Sequence, residues 1–461
     1  MSGSWRLIPI LPLVLAAAVA AGQLASAGTV PPAPSKPSTQ PPRQSGKPAA
    51  VRFPLRVDPN KRYLVDRSGK PFLMIGDAAW SLAAQLRTED VDLYLEDRRR
   101  RGFNTILFNL LEHKFADDPP RNTYGEAPFT RAGDFGTPNE RYFRRVDATI
   151  RKALQRGILV LLFPAYAGLG GGSQGWWTEM RANGVEKLRA FGRYVGTRYK
   201  RFPNVIWVQS GDFTPPAHEH GLMDAVAEGI RSVDSKLQTF HGGRGSSALG
   251  YRQPRPAWLG VNTIYTSDDD VVSYARIEYS RSRLPFFLIE ARYENQPGFT
   301  AHTVRQQAYQ AILAGASGAI MGNQPVWSFA PEWRQALGSP GAVGKAHLGR
   351  LLHSLPWWKL QPDAGNRLLT SGIGSGARLA VAARARDGTF AVVYAPTPRR
   401  ITLDLRRLRG PRVRARWYDP TTGRYRPPAS LLRTGTPRAF RMPPRNAAGD
   451  GDMVLVLTSA K

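Results

Sequence analysis

The chain has 461 residues, of which 42% are apolar, 10% aromatic and 21% charged, enough for two or three globular domains with sizeable cores. It has no cysteine, which excludes a disulfide framework, a thiol nucleophile and any cysteine-ligated zinc or iron–sulfur centre. Sixty-four Lys and Arg against 35 Asp and Glu leave a formal charge of +29, which attracts acidic polysaccharide, cell wall, anionic lipid or nucleic acid alike.

Arg6 precedes an apolar run from Leu7 to about Ala21, and Ala25-Ser26-Ala27 supplies small residues at an exit. That order describes a secretory signal peptide over residues 1–27, with a membrane anchor as the alternative. Pro9 and Pro12 interrupt the run, and its solid part is short for the ~20 residues of a span. Residues 28–50 are rich in Pro, Ser and Lys with almost nothing to bury, and read as an extended linker. The mature protein is therefore expected outside the cytoplasm, secreted, periplasmic or at the cell surface.

From 51 to about 355 the pattern alternates. Phe72-Leu-Met-Ile-Gly-Asp77 is a short apolar run, and Thr88 opens a helix with Glu89 and Asp90 at its start and Arg98 to Arg101 at its end. Acid first and base last suit the helix dipole. Further strand-like runs follow at Thr105–Leu110, Ile158–Phe163, Val205–Gln209, Gln238–His241, Leu259–Tyr265, Pro285–Glu290 and Gly318–Gly322. Helical patterns lie near 139–156, 184–200, 217–233, 269–282 and 301–315. Eight apolar runs separated by helices predict a parallel α/β fold, and a (β/α)8 barrel rather than an open sheet, because no Gly-rich phosphate turn follows the first strand.

From 356 to 461 the period shortens to strands at Leu379–Arg384, Phe390–Tyr394, Ile401–Leu405, Val413–Tyr418 and Met453–Thr458. They predict a small all-β, sandwich-like domain. Between Lys345 and Lys461 there are 22 basic and 6 acidic residues, a net of +16. This basic face is either solvated or docks an acidic cell-wall or matrix polymer.

In a (β/α)8 barrel, chemistry sits where the strands end at the C-terminal face. The strand ends carry Asp77 with Trp80, Asn109, Tyr166, Asp212, His241, Tyr265, Glu290, and Asn323 with Trp327. Two carboxylates on strands four and seven, ringed by aromatic and amide groups, form a sugar-cleaving constellation. One carboxyl protonates the leaving oxygen, and the other attacks or stabilises an oxocarbenium-like centre.

Several segments resemble the apiosidase-like glycoside hydrolases, in which a (β/α)8 catalytic domain precedes a β domain of the collagen-binding type. They are Phe72-Leu-Met-Ile-Gly-Asp-Ala-Ala-Trp80, Asn204-Val-Ile-Trp-Val-Gln-Ser-Gly-Asp212, Glu290-Ala-Arg-Tyr-Glu294, Gly322-Asn-Gln-Pro-Val-Trp327 and Trp417-Tyr-Asp-Pro-Thr-Thr-Gly423. The resemblance spans roughly 55–460. It implies Asp212 as general acid/base, Glu290 as nucleophile, and no metal or other cofactor. Ser210 and Ala291 stand where the family usually has Gly and Pro.

Other readings stay open on the residues alone. Asp212 could cap the segment after it, Glu290 could pair with Arg292 or Arg276, and Glu294 is a rival nucleophile. Asp77 is an N-cap or a sugar ligand. Trp80, Trp176, Trp177 and Trp327 are core or sugar platform, and His241 is a hydroxyl ligand or a structural histidine. His218-Glu219-His220 lacks a third ligand for a metal, Asp268-Asp269-Asp270 reads as an acidic helix start, and Gly170-Gly-Gly172 reads as an active-site loop. The expected function is a retaining, exo-acting glycosidase on a cell-wall or matrix polysaccharide. The alternative is a non-catalytic binding protein that keeps the barrel as scaffold. No motif points to nucleic acid.

Overall fold

The structure is a computed structural model that describes residues 51–460 apart from Asp268 and Ser282. The expected signal peptide and linker, and the first residue of the acidic triplet, lie outside the described residues.

Eight strands form the barrel: β1 (Met74–Ala78), β2 (Thr105–Asn109), β3 (Leu159–Phe163), β4 (Val205–Ser210), β5 (Gln238–His241), β6 (Asn262–Tyr265), β7 (Phe286–Glu290) and β8 (Gly318–Met321). Each pairs in parallel with the next from β1 to β5 and from β6 to β8, and β8 returns to β1 through Met321 opposite Asp77. Among the described residues the β5–β6 seam has one parallel bridge, Gln238 to Leu259, and the Thr263 hydroxyl donates to the Phe240 carbonyl across it at 2.6 Å. Every residue of β1 to β6 is buried, the mark of strands covered on both faces.

Alternation along the strands sorts the core. Leu159, Leu161 and Phe163 of β3 join the barrel interior with Leu107, Ile206, Val208, Phe287 and Ile289. Their neighbours Val160 and Leu162 face the outer helices. Three short antiparallel strands, Arg56–Val57, Leu64–Val65 and Pro71–Phe72, precede β1 and contribute Leu64 and Phe72 to the same interior cluster.

The outer layer comprises α1 (Thr88–Arg101), α2 (Glu140–Gln155), α3 (Trp177–Tyr199), α4 (His220–Arg231), α5 (Val271–Arg281), α6 (Ala301–Leu313) and α7 (Pro340–His353). Gly102 ends α1 in the left-handed conformation, as a C-cap glycine does. α3 starts seven residues before the expected 184, because Gly184 at φ 70° kinks one helix rather than beginning it.

The C-terminal part is an antiparallel sandwich, as expected, but with more strands than the pattern revealed. One sheet runs in the order β9 (Leu360–Pro362), β11 (Val381–Ala385), β12 (Phe390–Ala395), β17 (Met453–Ala460), β14 (Arg412–Asp419), β15 (Arg424–Arg433). The other is β10 (Leu369–Ser371), β13 (Arg400–Asp404), β16 (Pro437–Arg441). β15 lacks a strand-like sequence pattern because it holds Pro427 and Pro428. As an edge strand it accommodates them where its pairing with β14 skips from Arg426 to Ser430.

The sandwich packs on the barrel through Tyr309 of α6, stacked on Tyr394 of β12 at 4.7 Å between ring centres. Buried Arg305 binds Asp452 at 2.9 and 3.1 Å and Asp450 at 2.5 Å. No helix among the described residues is long and apolar enough to cross a membrane.

Candidate active site

β4 ends in an unusual turn. Ser210, Gly211 and Asp212 all have positive φ, at 72°, 123° and 56°. The Ser210 hydroxyl donates to the Phe213 carbonyl at 2.6 Å, which offsets its unfavourable conformation. A Cβ on Gly211 would stand 2.3 Å from the Tyr166 ring, so the turn has room only for glycine there. The turn lifts the half-buried Asp212 carboxylate beside Tyr166, whose hydroxyl donates to Oδ2 at 2.7 Å.

β7 ends at Glu290. A carboxylate oxygen of Asp212, one of Glu290 and a ring nitrogen of His241 all lie within 4.8 Å of one another. His241, fully buried at the end of β5, sits between the two acids. Its Nδ1 accepts the Asp212 backbone N–H at 2.9 Å, and its Nε2 lies 2.8 Å from Glu290 Oε2. Burial opposes protonation of this imidazole and the two carboxylates favour it, with a net upward direction. A second proton would displace the Asp212 N–H from Nδ1, so the geometry holds the neutral ring with its proton on Nε2, facing Glu290.

Burial is the main influence on Glu290. It pushes the carboxyl above its usual range, the nearby Asp212 charge adds to this, and the contact with His241 opposes it. The Tyr265 hydroxyl reaches Asp212 and receives Arg244 Nη2 at 3.0 Å, so a guanidinium stands beside the acids. Tyr293 accepts from Trp80 Nε1 at 2.7 Å, and burial, with the nearby Glu290 charge, holds its hydroxyl above the usual range. Tyr166, Tyr265 and Tyr293 are all held protonated, chiefly by burial, and Tyr166 donates to Asp212.

The structure thus gathers Asp212, Glu290, His241, Tyr166, Tyr265 and Trp80 into one cluster. Trp80 is 5% exposed and rests against Phe163, Tyr166 and His241, so it braces the site from below. His241 is likewise a brace, because Nδ1 is taken and no ring atom is left to accept a sugar hydroxyl. Asn109 shares the inward face of β2 with Leu107, and its buried Oδ1 has no partner among the described residues. Trp327 packs edge-on to Phe115, which meets Tyr166.

Asp77 does not join them. It lies on the outward face of β1, where its Oδ2 accepts from Tyr94 at 2.8 Å and pairs with Arg98 at 3.2 Å. Period-two alternation sends it to the helices, because Met74 and Ala78 face the interior. Trp176 packs among His113, Phe129 and Phe135, and Trp177 against Phe213, so both are core. Glu294 is buried, accepting from Ser339 Oγ, Asn323 Nδ2 and the Gly341 N–H at the start of α7.

Glu219 is engaged by Arg181 and Trp177, away from any metal-like grouping. Among the described residues, only Asp212, His241 and Glu290 bring ligand atoms close enough to share a metal. Tyr293 and Arg244 were absent from the expected site. Tyr293 was legible as an aromatic three residues beyond the strand end, whereas nothing local marks Arg244.

The sequence profile described as "Apiosidase-like, catalytic domain" matches residues 58–359, and that described as "Putative collagen-binding domain of a collagenase" matches 363–458. The fold is similar to that of a glycoside hydrolase family 5 protein from Bacteroides vulgatus, at 23% identity and TM-score 0.76, covering 88% of this chain and 93% of that one. A second solved structure, titled glycoside hydrolase, aligns at 23% identity and TM-score 0.75 over 88% of this chain and 97% of that one. No curated protein matches the chain.

Proposed function

The chain belongs to the apiosidase-like family of glycoside hydrolases, and from that premise we propose that it is a retaining, exo-acting glycosidase of cell-wall or matrix polysaccharide. The observation that carries the reading is the Asp212–Glu290 pair, with carboxylate oxygens within 4.8 Å. Retaining glycosidases hold their carboxyl groups about 5–5.5 Å apart, whereas inverting ones need ~6.5–9.5 Å to admit a water between acid and base.

In this mechanism Glu290 attacks the anomeric carbon while Asp212 protonates the departing oxygen. Asp212 then takes a proton from the water that releases the sugar from Glu290. Tyr293 and His241 orient the nucleophile, and Tyr166 and Tyr265 orient the acid/base. Asn109, Trp327 and Arg244 are placed to contact sugar. The apolar run at residues 7–21 supports export, and the arginine-rich sandwich supports docking on an acidic polymer.

The test is a panel of cell-wall glycans screened for released monosaccharide, followed by NMR of the first-formed anomer. Release of one terminal sugar with its configuration kept supports the proposal. Inverted product, or internal cleavage, overturns it.

A further inference from the structure

A groove lined by an exposed tryptophan lies at the other end of the barrel. Six large hydrophobic side chains are well exposed among the described residues, and Trp358 is the only aromatic one, at 38%. It follows α7, on the short passage into β9. It lines a groove of about 280 Å3 with Asn60, Arg62, Ser317, Gln361 and Arg386. Ser317 precedes β8, so the groove opens at the N-terminal end of the barrel, whereas Asp212 and Glu290 follow strand C-termini.

The indole is rigidly mounted. Trp357 is buried in the core with its ring edge-on to Tyr63 at 5.6 Å, and Trp358 stands at 88° to Trp357. Lys359 pins the same turn to Asp387 at 2.7 Å. Gln361 is fixed by the pairing of β9 with β11. The exposed side chains of Asn60, Gln361 and Arg386 make no hydrogen bond among the described residues, whereas Arg62 is used up on the Tyr279 carbonyl and ring.

We propose that this groove binds a segment of polysaccharide, one sugar ring stacked on Trp358 and its hydroxyls bonded by Asn60, Gln361 and Arg386. A fixed, exposed aromatic face ringed by unpaired amides and a guanidinium suits the apolar face and equatorial hydroxyls of a sugar. The site deepens the glycosidase reading and rests on it for its role. It faces away from the catalytic carboxylates, so it tethers the enzyme to polymer and raises the local substrate concentration.

The experiment measures adsorption of the Glu290→Gln protein, with and without Trp358→Ala, to insoluble neutral xylan and to uronate-bearing pectate particles. It is run at low salt and at roughly 0.5 M, where charge attraction is screened beyond ~4 Å. The expected result is adsorption to at least one particle that survives high salt and weakens about tenfold with Trp358→Ala, the loss typical of a buried aromatic anchor. In the otherwise native protein, Trp358→Ala should leave hydrolysis of a small aryl glycoside unchanged, which also reports an intact fold. Gln361→Ala should weaken adsorption in the same way.

Equal adsorption of parent and Trp358→Ala on both particles overturns the proposal, as does no adsorption by either at high salt. If adsorption depends on Trp358 but no glycan is cleaved by the native protein, the catalytic reading fails and the binding site stands.

Discussion

The backbone N–H of Asp212 donates to Nδ1 of His241 at 2.9 Å, while the opposite ring nitrogen lies 2.8 Å from Glu290. One imidazole therefore ties the turn that carries Asp212, the proposed acid/base, to Glu290, the proposed nucleophile. Tyr166 and Tyr265 complete the acid side of this arrangement, and Tyr293 completes the nucleophile side.

The two carboxylates should respond differently to removal. Glu290→Ala should reduce turnover to background on every substrate, because no nucleophile remains. Asp212→Ala should lose about 10²–10⁴-fold on natural linkages, where the leaving oxygen needs a proton, and much less on aryl glycosides with good leaving groups. Equal losses on the aryl substrates would contradict this division of labour.

The pH profile follows from Glu290. It must be ionised to attack, and burial holds its carboxyl above the usual range, so the acid limb of kcat/KM should lie above that of an exposed glutamate. The His241 contact lowers that value, so His241→Ala should move the limb further upward as well as reduce kcat. The same shift sets stability. Its contribution is fully present below the ordinary carboxylate pKa and is lost as pH rises through the raised value. Glu290→Gln should therefore be more stable than the native protein at neutral pH, checked by thermal midpoints across pH.

Gly211→Ala should cost activity without unfolding the barrel. The added Cβ meets the Tyr166 ring at 2.3 Å and disfavours φ 123°, which displaces Asp212. Ser210→Gly should be well tolerated, since glycine prefers the conformation that serine holds there at φ 72°. Kinetics with thermal midpoints for both variants separate site distortion from global loss.

Lys345 on α7 is buried without a hydrogen-bond partner among the described residues, and burial pulls its amine down to about 7, against a smaller opposing pull from Asp77. A lowered lysine pKa means that the unfolded chain binds more protons between about 7 and the ordinary value, so stability rises with pH over that window. Lys345→Met should stabilise the fold by a few kcal/mol at pH 7, with the gain vanishing towards pH 10.5. Denaturant midpoints at both pH values read this directly.

Arg305 is the buried cation between barrel and sandwich. Arg305→Ala would leave Asp452 buried without its charge partner, at a cost of about 3–5 kcal/mol. Both parts should then unfold earlier, by calorimetry.

Much of this was legible in the sequence. Eight apolar runs, most of them separated by helical patterns, point to a parallel sheet covered on both faces, and the absence of a Gly-rich phosphate turn after the first strand favours a barrel over an open sheet. The ends of the runs Val205–Gln209 and Pro285–Glu290 singled out Asp212 and Glu290 as the candidate acids, since barrel chemistry gathers at strand C-termini. The sequence did not separate inward from outward positions at strand ends. Asp77 ends a strand as Glu290 does, yet it points to Arg98 and Tyr94, because one residue of register moves a side chain to the other face. Tertiary structure alone decided that His241 would spend Nδ1 on the Asp212 backbone, that Trp80 would brace rather than bind, and that Arg244 would reach Tyr265. It also decided that prolines inside β15 would be harmless at a sheet edge. Each of these depends on contacts between residues far apart in the chain, which no local pattern of residue types encodes.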